Sequence, residues 1–344
     1  MMRNGQIIAA MLIAFVLVFN VPIAYATTSD DTVSMPTKDS IFKHKYENYT
    51  VNYTKVDTVY GPVNVPEDSF KKLGKEKITE KYYEFLKQQD EFKQMDKQLG
   101  ITKSYTSTNY TVVAPLQVYT ELYDILLTDK YYERTWFYQT GYQPTLLYGC
   151  ISPVSIYHPS GENFRSYHER EIVLNNYMDI IEIVSDQRPN GITNVFACIY
   201  DNSFYPVDPS VFYLNIPNSQ HPVEYDVILN AMDHSYDIWL VDTGTWQVYF
   251  DSYTDSDNFS SYILKYSGST ELEDYSMFAH TFRVETNIVD YYTKVNGYIV
   301  QPYNVFNNIN NSEETAWVYA YGYKGVGNNY QTFSNHIAGN PDPS

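Results

Sequence analysis

VEYDVILNAMDHSYDIWLVDTGTWQVYF, residues 223–250, sets the fold class. Three short runs rich in Val, Ile, Leu, Tyr, Trp and Phe sit at Val223–Leu229, Ile238–Val241 and Gln247–Phe250. Between them lie polar clusters with Asn, Asp, His, Thr and Gly. Each run is too short for a helix of ordinary length. β-branched and aromatic residues suit a pleated, half-buried surface, and the clusters suit turns.

The same texture extends in both directions. Runs at Tyr110–Tyr119, Tyr148–Tyr157, Glu169–Leu174, Met178–Val184, Asn194–Tyr200, Phe212–Ile216, Met277–Val284, Tyr291–Val300 and Trp317–Tyr323 are separated by Gly, Pro, Asn and Asp. About a dozen strands with no helix between them exclude βαβ units and imply a mainly-β antiparallel sandwich of two curved sheets, concanavalin-like or jelly-roll. The 37 tyrosines serve such a fold, since tyrosine buries a ring while its hydroxyl stays wet.

Upstream the texture changes. Ile78, Tyr82, Phe85, Leu86, Phe92, Met95 and Leu99 recur at helical spacing, and Gly100 supplies a stop. The spacing predicts a helix over 78–99 whose apolar stripe needs a partner. Tyr/Thr/Val alternation from Tyr46 to Tyr60, punctuated by Pro62 and Pro66, predicts a hairpin before it. Residues 27–115 carry 13 Lys/Arg and 13 Asp/Glu, whereas residues 116–344 carry 9 against 28. A lysine-bearing helix is thus joined to a strongly acidic domain. Two readings of 27–112 stand: a pro-segment covering the 113–344 domain, or a helix packed there for good.

The N-terminus reads as a signal peptide. Arg3 precedes an apolar run at Ile7–Phe19, and Ala24-Tyr25-Ala26 offers small residues for cleavage after residue 26. The expectation is a secreted protein with no later membrane span. Cys150 and Cys198 are then expected to form one disulfide. Asn48, Asn52, Asn109, Asn258 and Asn310 head glycosylation triplets. The net charge of −18 argues against nucleic acid and anionic membrane surfaces as partners.

Several constellations could carry chemistry. Asp242-Thr243-Gly244 after Ile238-Trp239-Leu240-Val241 fits one half of an aspartic-peptidase site, which would need a dimer, and fits an ordinary hairpin turn. His168-Glu169-Arg170-Glu171 alternates faces of a strand and reads as a salt-bridged sheet surface, not a zinc motif. Asp251, Asp255, Asp257 and Asn258 form an acidic loop that reads either as a calcium site or as a solvated turn. Phe259 at its fifth position excludes an EF-hand.

Two segments resemble the neprosin-like secreted glutamic peptidases. The first runs SPVSIYHPSGENFRSYHEREIVL, residues 152–174, and continues as DIIEIVSDQRPNGITNVFACIYDNSFYPVD, residues 179–208. The second is HSYDIWLVDTGTWQVYFDSYTDSDNFSSYILKYSGSTELED, residues 234–274, and the closing residues 327–344 are similar to the family's tail. The resemblance implies a secreted endopeptidase made as a zymogen, cutting peptide or protein substrates, with cleavage near proline. It implies Glu162 as one catalytic carboxylate and Glu271 or Glu273 as the other, with no metal and no cofactor. A pair of glutamates facing one water can divide base and acid roles between them. The alternative of another class is a non-catalytic sandwich binding carbohydrate or a cell-surface partner through its aromatic side chains.

Overall fold

The computed structural model describes residues 51–100, 102–105, 110–113, 119–127, 132–138, 143–152, 156–157, 165–176, 179–187, 193–201, 212–273, 283–300, 306–309, 318–326 and 331–339. The leader, Glu162 and the triplet asparagines Asn48, Asn109 and Asn310 lie outside these ranges.

β1 (Tyr53–Thr58) and β2 (Gly61–Pro66) form the expected hairpin, and α1 (Glu67–Leu99) follows at once. A small pair, β3 (Thr102–Tyr105) and β4 (Tyr110–Val113), comes next. The remaining strands are β5 (Tyr119–Leu127), β6 (Tyr132–Tyr138), β7 (Pro144–Ser152), β8 (Ile156–Tyr157), β9 (Arg165–Leu174), β10 (Asp179–Gln187), β11 (Thr193–Asp201) and β12 (Phe212–Ile216). They continue with β13 (Val223–Asn230), β14 (Ser235–Asp242), β15 (Val248–Thr254), β16 (Ile263–Glu273), β17 (Arg283–Val295), β18 (Tyr298–Val300), β19 (Phe306–Ile309), β20 (Val318–Val326) and β21 (Gln331–Gly339).

These strands build an antiparallel β-sandwich. The larger sheet has the order β1-β2-β15-β14-β13-β7-β17-β21-β20-β5, with β8 and β18 also on β17. The smaller has the order β12-β11-β10-β9-β16-β6-β19. One core cluster lies between them. Leu147, Ile151, Tyr225, Val227, Ile238 and Leu240 come from the larger sheet, and Ile172, Ile181, Ile183, Ala197, Ile199 and Leu214 from the smaller. Strand alternation then fixes the outer faces: Tyr148, Cys150, Glu224, Asp226, Asp237, Trp239 and Phe250 on the larger sheet, Glu171, Glu182 and Cys198 on the smaller.

The helix is longer than its stripe predicts. It starts at Glu67, with Glu67 and Asp68 in the first turn, and bends where Gly74 adopts φ 73° and ψ 164°. Gly100 ends it in the left-handed conformation, its N–H donating to Asp96 O. Ile78, Tyr82, Phe85 and Phe92 are buried, as the spacing predicts. They pack on the outer face of the larger sheet, against Trp239, Val241, Val248, Phe250, Tyr148 and Tyr292. This explains why Ser235–Asp242 is buried at every residue. Its two faces meet the core and the helix, so the strand shows no polar side.

Two strand expectations change. Tyr291–Val300 is two strands, because Asn296 (φ 50°) and Gly297 (φ 81°) take the positive dihedrals of a tight hairpin turn. Ile263–Glu273 is a full strand, although its Ser/Gly/Thr-rich centre lacks a strand signal. The expected strand at 277–284 falls largely outside the described residues.

Candidate functional site

Glu162 lies outside the described residues. Glu271 and Glu273 end β16, where register pairs Glu271 with Tyr167 and Glu273 with Arg165 of β9. Being two residues apart, positions 271 and 273 fall on the same face of the sheet, so alternation does not choose between them. That face is the outer one, because the same register pairs Ser267 with Glu171 and Tyr266 with the core residue Ile172.

The structure adds a carboxylate pair that the motif reading missed. Glu171 on β9 and Glu182 on β10 are direct register partners. Both are on the outer face, and they are only 2% and 6% exposed. Directly opposed residues in an antiparallel pair hold their Cβ atoms about 5 Å apart. The row continues across the sheet, with Cys198 paired to Glu182 and Ser267 to Glu171. A signal for Glu182 was present: a lone carboxylate inside Ile180-Ile181-Glu182-Ile183-Val184. A strand that apolar is buried on both faces, so its one charged residue is buried as well.

In His168-Glu169-Arg170-Glu171, the described side chains Arg170 and Glu171 take opposite faces, and neither is at the surface. Arg170 is fully buried on the core face and Glu171 nearly so on the outer face. The register partner of Arg170 on β16 is Gly268, which leaves that side open for a long side chain.

The disulfide expectation is overturned. Cys150 and Cys198 are both buried and are not joined in a disulfide. Cys150 is on the outer face of the larger sheet among Phe92, Tyr148 and Tyr292, and Cys198 is on the outer face of the smaller. Sheets pack about 10 Å apart and these side chains leave on opposite sides, whereas a disulfide needs Cα atoms within about 7 Å.

Asp242-Thr243-Gly244 is a turn. Asp242 Oδ1 accepts from the N–H groups of Gly244 (2.8 Å) and Thr245 (3.3 Å). The Asp242 N–H donates to Gln247 O, closing the β14–β15 connection. Gly244 is required by close approach: a Cβ there would meet the His221 ring at 1.8 Å. Asp255 likewise serves its own loop, accepting from the N–H groups of Asp257 (2.9 Å) and Asn258 (3.0 Å). Asp251 does not belong to that loop. It is a buried strand residue whose carboxyl is pushed up to about 6, chiefly by burial, against lowering by Ser69 and Lys72.

The richest polar geometry lies under α1. Lys81 Nζ donates to Asp237 Oδ2 and Oδ1 at 2.7 and 2.9 Å. Gln89 Nε2 donates to Asp226 Oδ2 at 2.6 Å. The Tyr292 hydroxyl donates to Asp96 Oδ1 at 2.6 Å, and burial and then this bond push its titration upward. Asp233 is held below the ordinary carboxylate range: burial opposes this, but Lys81 and Lys77 outweigh it. Clefts of 480 and 370 Å³ flank the helix, the second lined by Glu224, Tyr148, Asp96 and Trp246. The Tyr148 hydroxyl donates to Glu224 Oε1 at 2.9 Å. These groups belong to the helix and to the face of the larger sheet beneath it, on the opposite side of the sandwich from Glu171, Glu182 and positions 271 and 273.

No protein-family model matches this chain, and no curated protein does. Solved structures are similar to it. Scytalido-glutamic peptidase with a peptide-based transition-state analogue matches over 60% of this chain and 98% of its own, at 13% identity and TM-score 0.39. SCP-B, a member of the eqolisin family of peptidases in complex with the tripeptide Ala-Ile-His, matches over 64% and 98%, at 11% identity and TM-score 0.30. Winged bean acidic lectin complexed with methyl-alpha-D-galactose matches over 69% and 87%, at 11% identity and TM-score 0.17. Likenesses of this size carry no argument about activity. The fold rests on the sheet order itself.

Proposed function

We propose that this chain is a peptidase of the glutamic type, working on the outer face of the smaller sheet. The observation that carries the reading is the directly opposed, buried pair Glu171 and Glu182. Two carboxylates at that separation can hold one water between them. One takes a proton from the water as it attacks the scissile carbonyl and then passes it to the leaving amine, and the other lends its proton to the developing oxyanion and takes it back as the tetrahedral intermediate collapses. Burial strengthens both effects by lowering the local dielectric.

The resemblance implies another pair, Glu162 with Glu271 or Glu273, of which Glu162 lies outside the described residues. The burial and direct opposition of Glu171 and Glu182 favour them for the chemistry. Secretion after removal of residues 1–26 and cleavage near proline complete the proposal, and because residues 51–100 cover the larger sheet and not this face, activity does not require their removal.

The test is hydrolysis of an unfolded protein at pH 3–4 by the purified chain and by five Glu→Gln variants, at 162, 171, 182, 271 and 273. The proposal expects cleavage that Glu171→Gln and Glu182→Gln each abolish. Loss confined to Glu162→Gln and Glu271→Gln or Glu273→Gln moves the chemistry to the second pair. No cleavage by the unaltered chain removes the peptidase reading.

A further inference from the structure

We propose that residues 51–100 are a docked subunit of the larger sheet, and that a chain cut between β3 and β4 keeps them bound. Three kinds of contact carry this. The first is in the backbone and hairpin. β2 joins the β15 edge at Asn64 and Tyr249, and Asn64 Nδ2 donates to Val248 O at 3.3 Å. The Tyr53 hydroxyl accepts from Asn215 N and donates to Asn215 O, each at 2.6 Å, tying β1 to the smaller sheet as well.

The second is aromatic. Phe85 stacks on Trp239 with centroids 4.4 Å apart, and Phe92 stacks on Tyr148 at 4.5 Å and Tyr292 at 5.3 Å. Without the segment, Trp239, Phe250, Tyr148 and Tyr292 would lose their cover. An aromatic patch spread over several strands is one that soluble proteins rarely leave open.

The third is polar and sets position. The anchors Lys81, Gln89 and Asp96 are spaced eight and seven residues apart, about two helical turns each, so they form one stripe. Their partners Asp237, Asp226 and Tyr292 lie on β14, β13 and β17, in that order across the sheet. Sliding the helix by one turn would break all three contacts together. The seat is therefore matched to this helix rather than to any apolar one.

The consequence is a chain that can be cut without being shed. The segment lies on the larger sheet, so its retention leaves the outer face of the smaller sheet as it is. The inference does not depend on peptidase activity, and neither does its test. Residues 106–109 are replaced by the recognition sequence of a site-specific protease, and the purified chain is cut at pH 7. Size exclusion and native mass spectrometry should find both pieces in one complex. Lys81→Glu, which sets a third carboxylate against Asp237 and Asp233, should speed dissociation of the cut segment roughly ten-fold or more. The exchange of Lys81→Asp with Asp237→Lys should restore retention. If Lys81→Glu does not fold, Phe92→Ala replaces it with the same expectation. Pieces of the unaltered chain that separate at pH 7 overturn the proposal, as does a cut complex that the helix substitution leaves equally firm.

Discussion

Lys81→Met isolates the ion pair that holds the helix to the sheet. Methionine keeps most of the buried stem and removes the charge. Lys81 and Asp237 are each less than a tenth exposed, and both carboxylate oxygens accept from the same Nζ. Removing one partner of a buried pair costs about 3–5 kcal/mol, because the other charge stays buried. Asp237 keeps two other donors, Ser252 Oγ at 2.6 Å and Asn230 Nδ2. The cost therefore belongs at the low end, about 3 kcal/mol. Urea unfolding followed by tryptophan fluorescence would register it. With a slope of about 3 kcal/mol/M for a chain of this size, the midpoint falls by about 1 M. Adding Asp237→Asn removes the stranded charge, so the double variant should recover roughly 1–2 kcal/mol relative to additivity. A loss below about 1 kcal/mol, or full additivity, would refute the reasoning that this pair positions the helix.

Three further outcomes follow from the same geometry. The Asp251 carboxyl titrates near 6 instead of 3.8. Its neutral form thus stabilises the fold below about pH 4, and that contribution, about 3 kcal/mol, is lost as pH rises through 6. Asp251→Asn should flatten the stability profile between those limits, and an unchanged profile would contradict the burial assigned to it. Phe92→Ala removes a 1%-exposed ring between Tyr148 and Tyr292 and should cost about 3–5 kcal/mol in the same urea assay. A thiol reagent should find two cysteines after unfolding and none in the native chain, and a reductant should leave stability unchanged.

The two-sheet class was legible because turn clusters interrupt short β-branched and aromatic runs throughout 110–323. The stripe from Ile78 to Leu99 announced a helix and its buried face, and Gly100 its end. The start at Glu67 was hidden because the stretch before Ile78 is mostly charged and Gly74 bends it. β16 escaped because Ser267, Gly268 and Ser269 carry no strand propensity, and its pairing with β6 and β9 decides its conformation. The cysteine pairing failed for a reason that spacing cannot reveal. One residue of offset in a strand sends a side chain to the other face, and these two thiols face away from each other across the sandwich. Glu171 and Glu182 meet only through the register of β9 and β10, so no local motif contained the pair.

The central claim is that the smaller sheet carries its chemistry on Glu171 and Glu182. Its most direct test is the rate of peptide-bond hydrolysis at acid pH by Glu182→Gln beside the unaltered chain, with urea midpoints for both. The account predicts a folded variant whose hydrolysis has fallen by at least about 100-fold, the scale of a lost general acid or base. A folded Glu182→Gln that cleaves at the unaltered rate would contradict it.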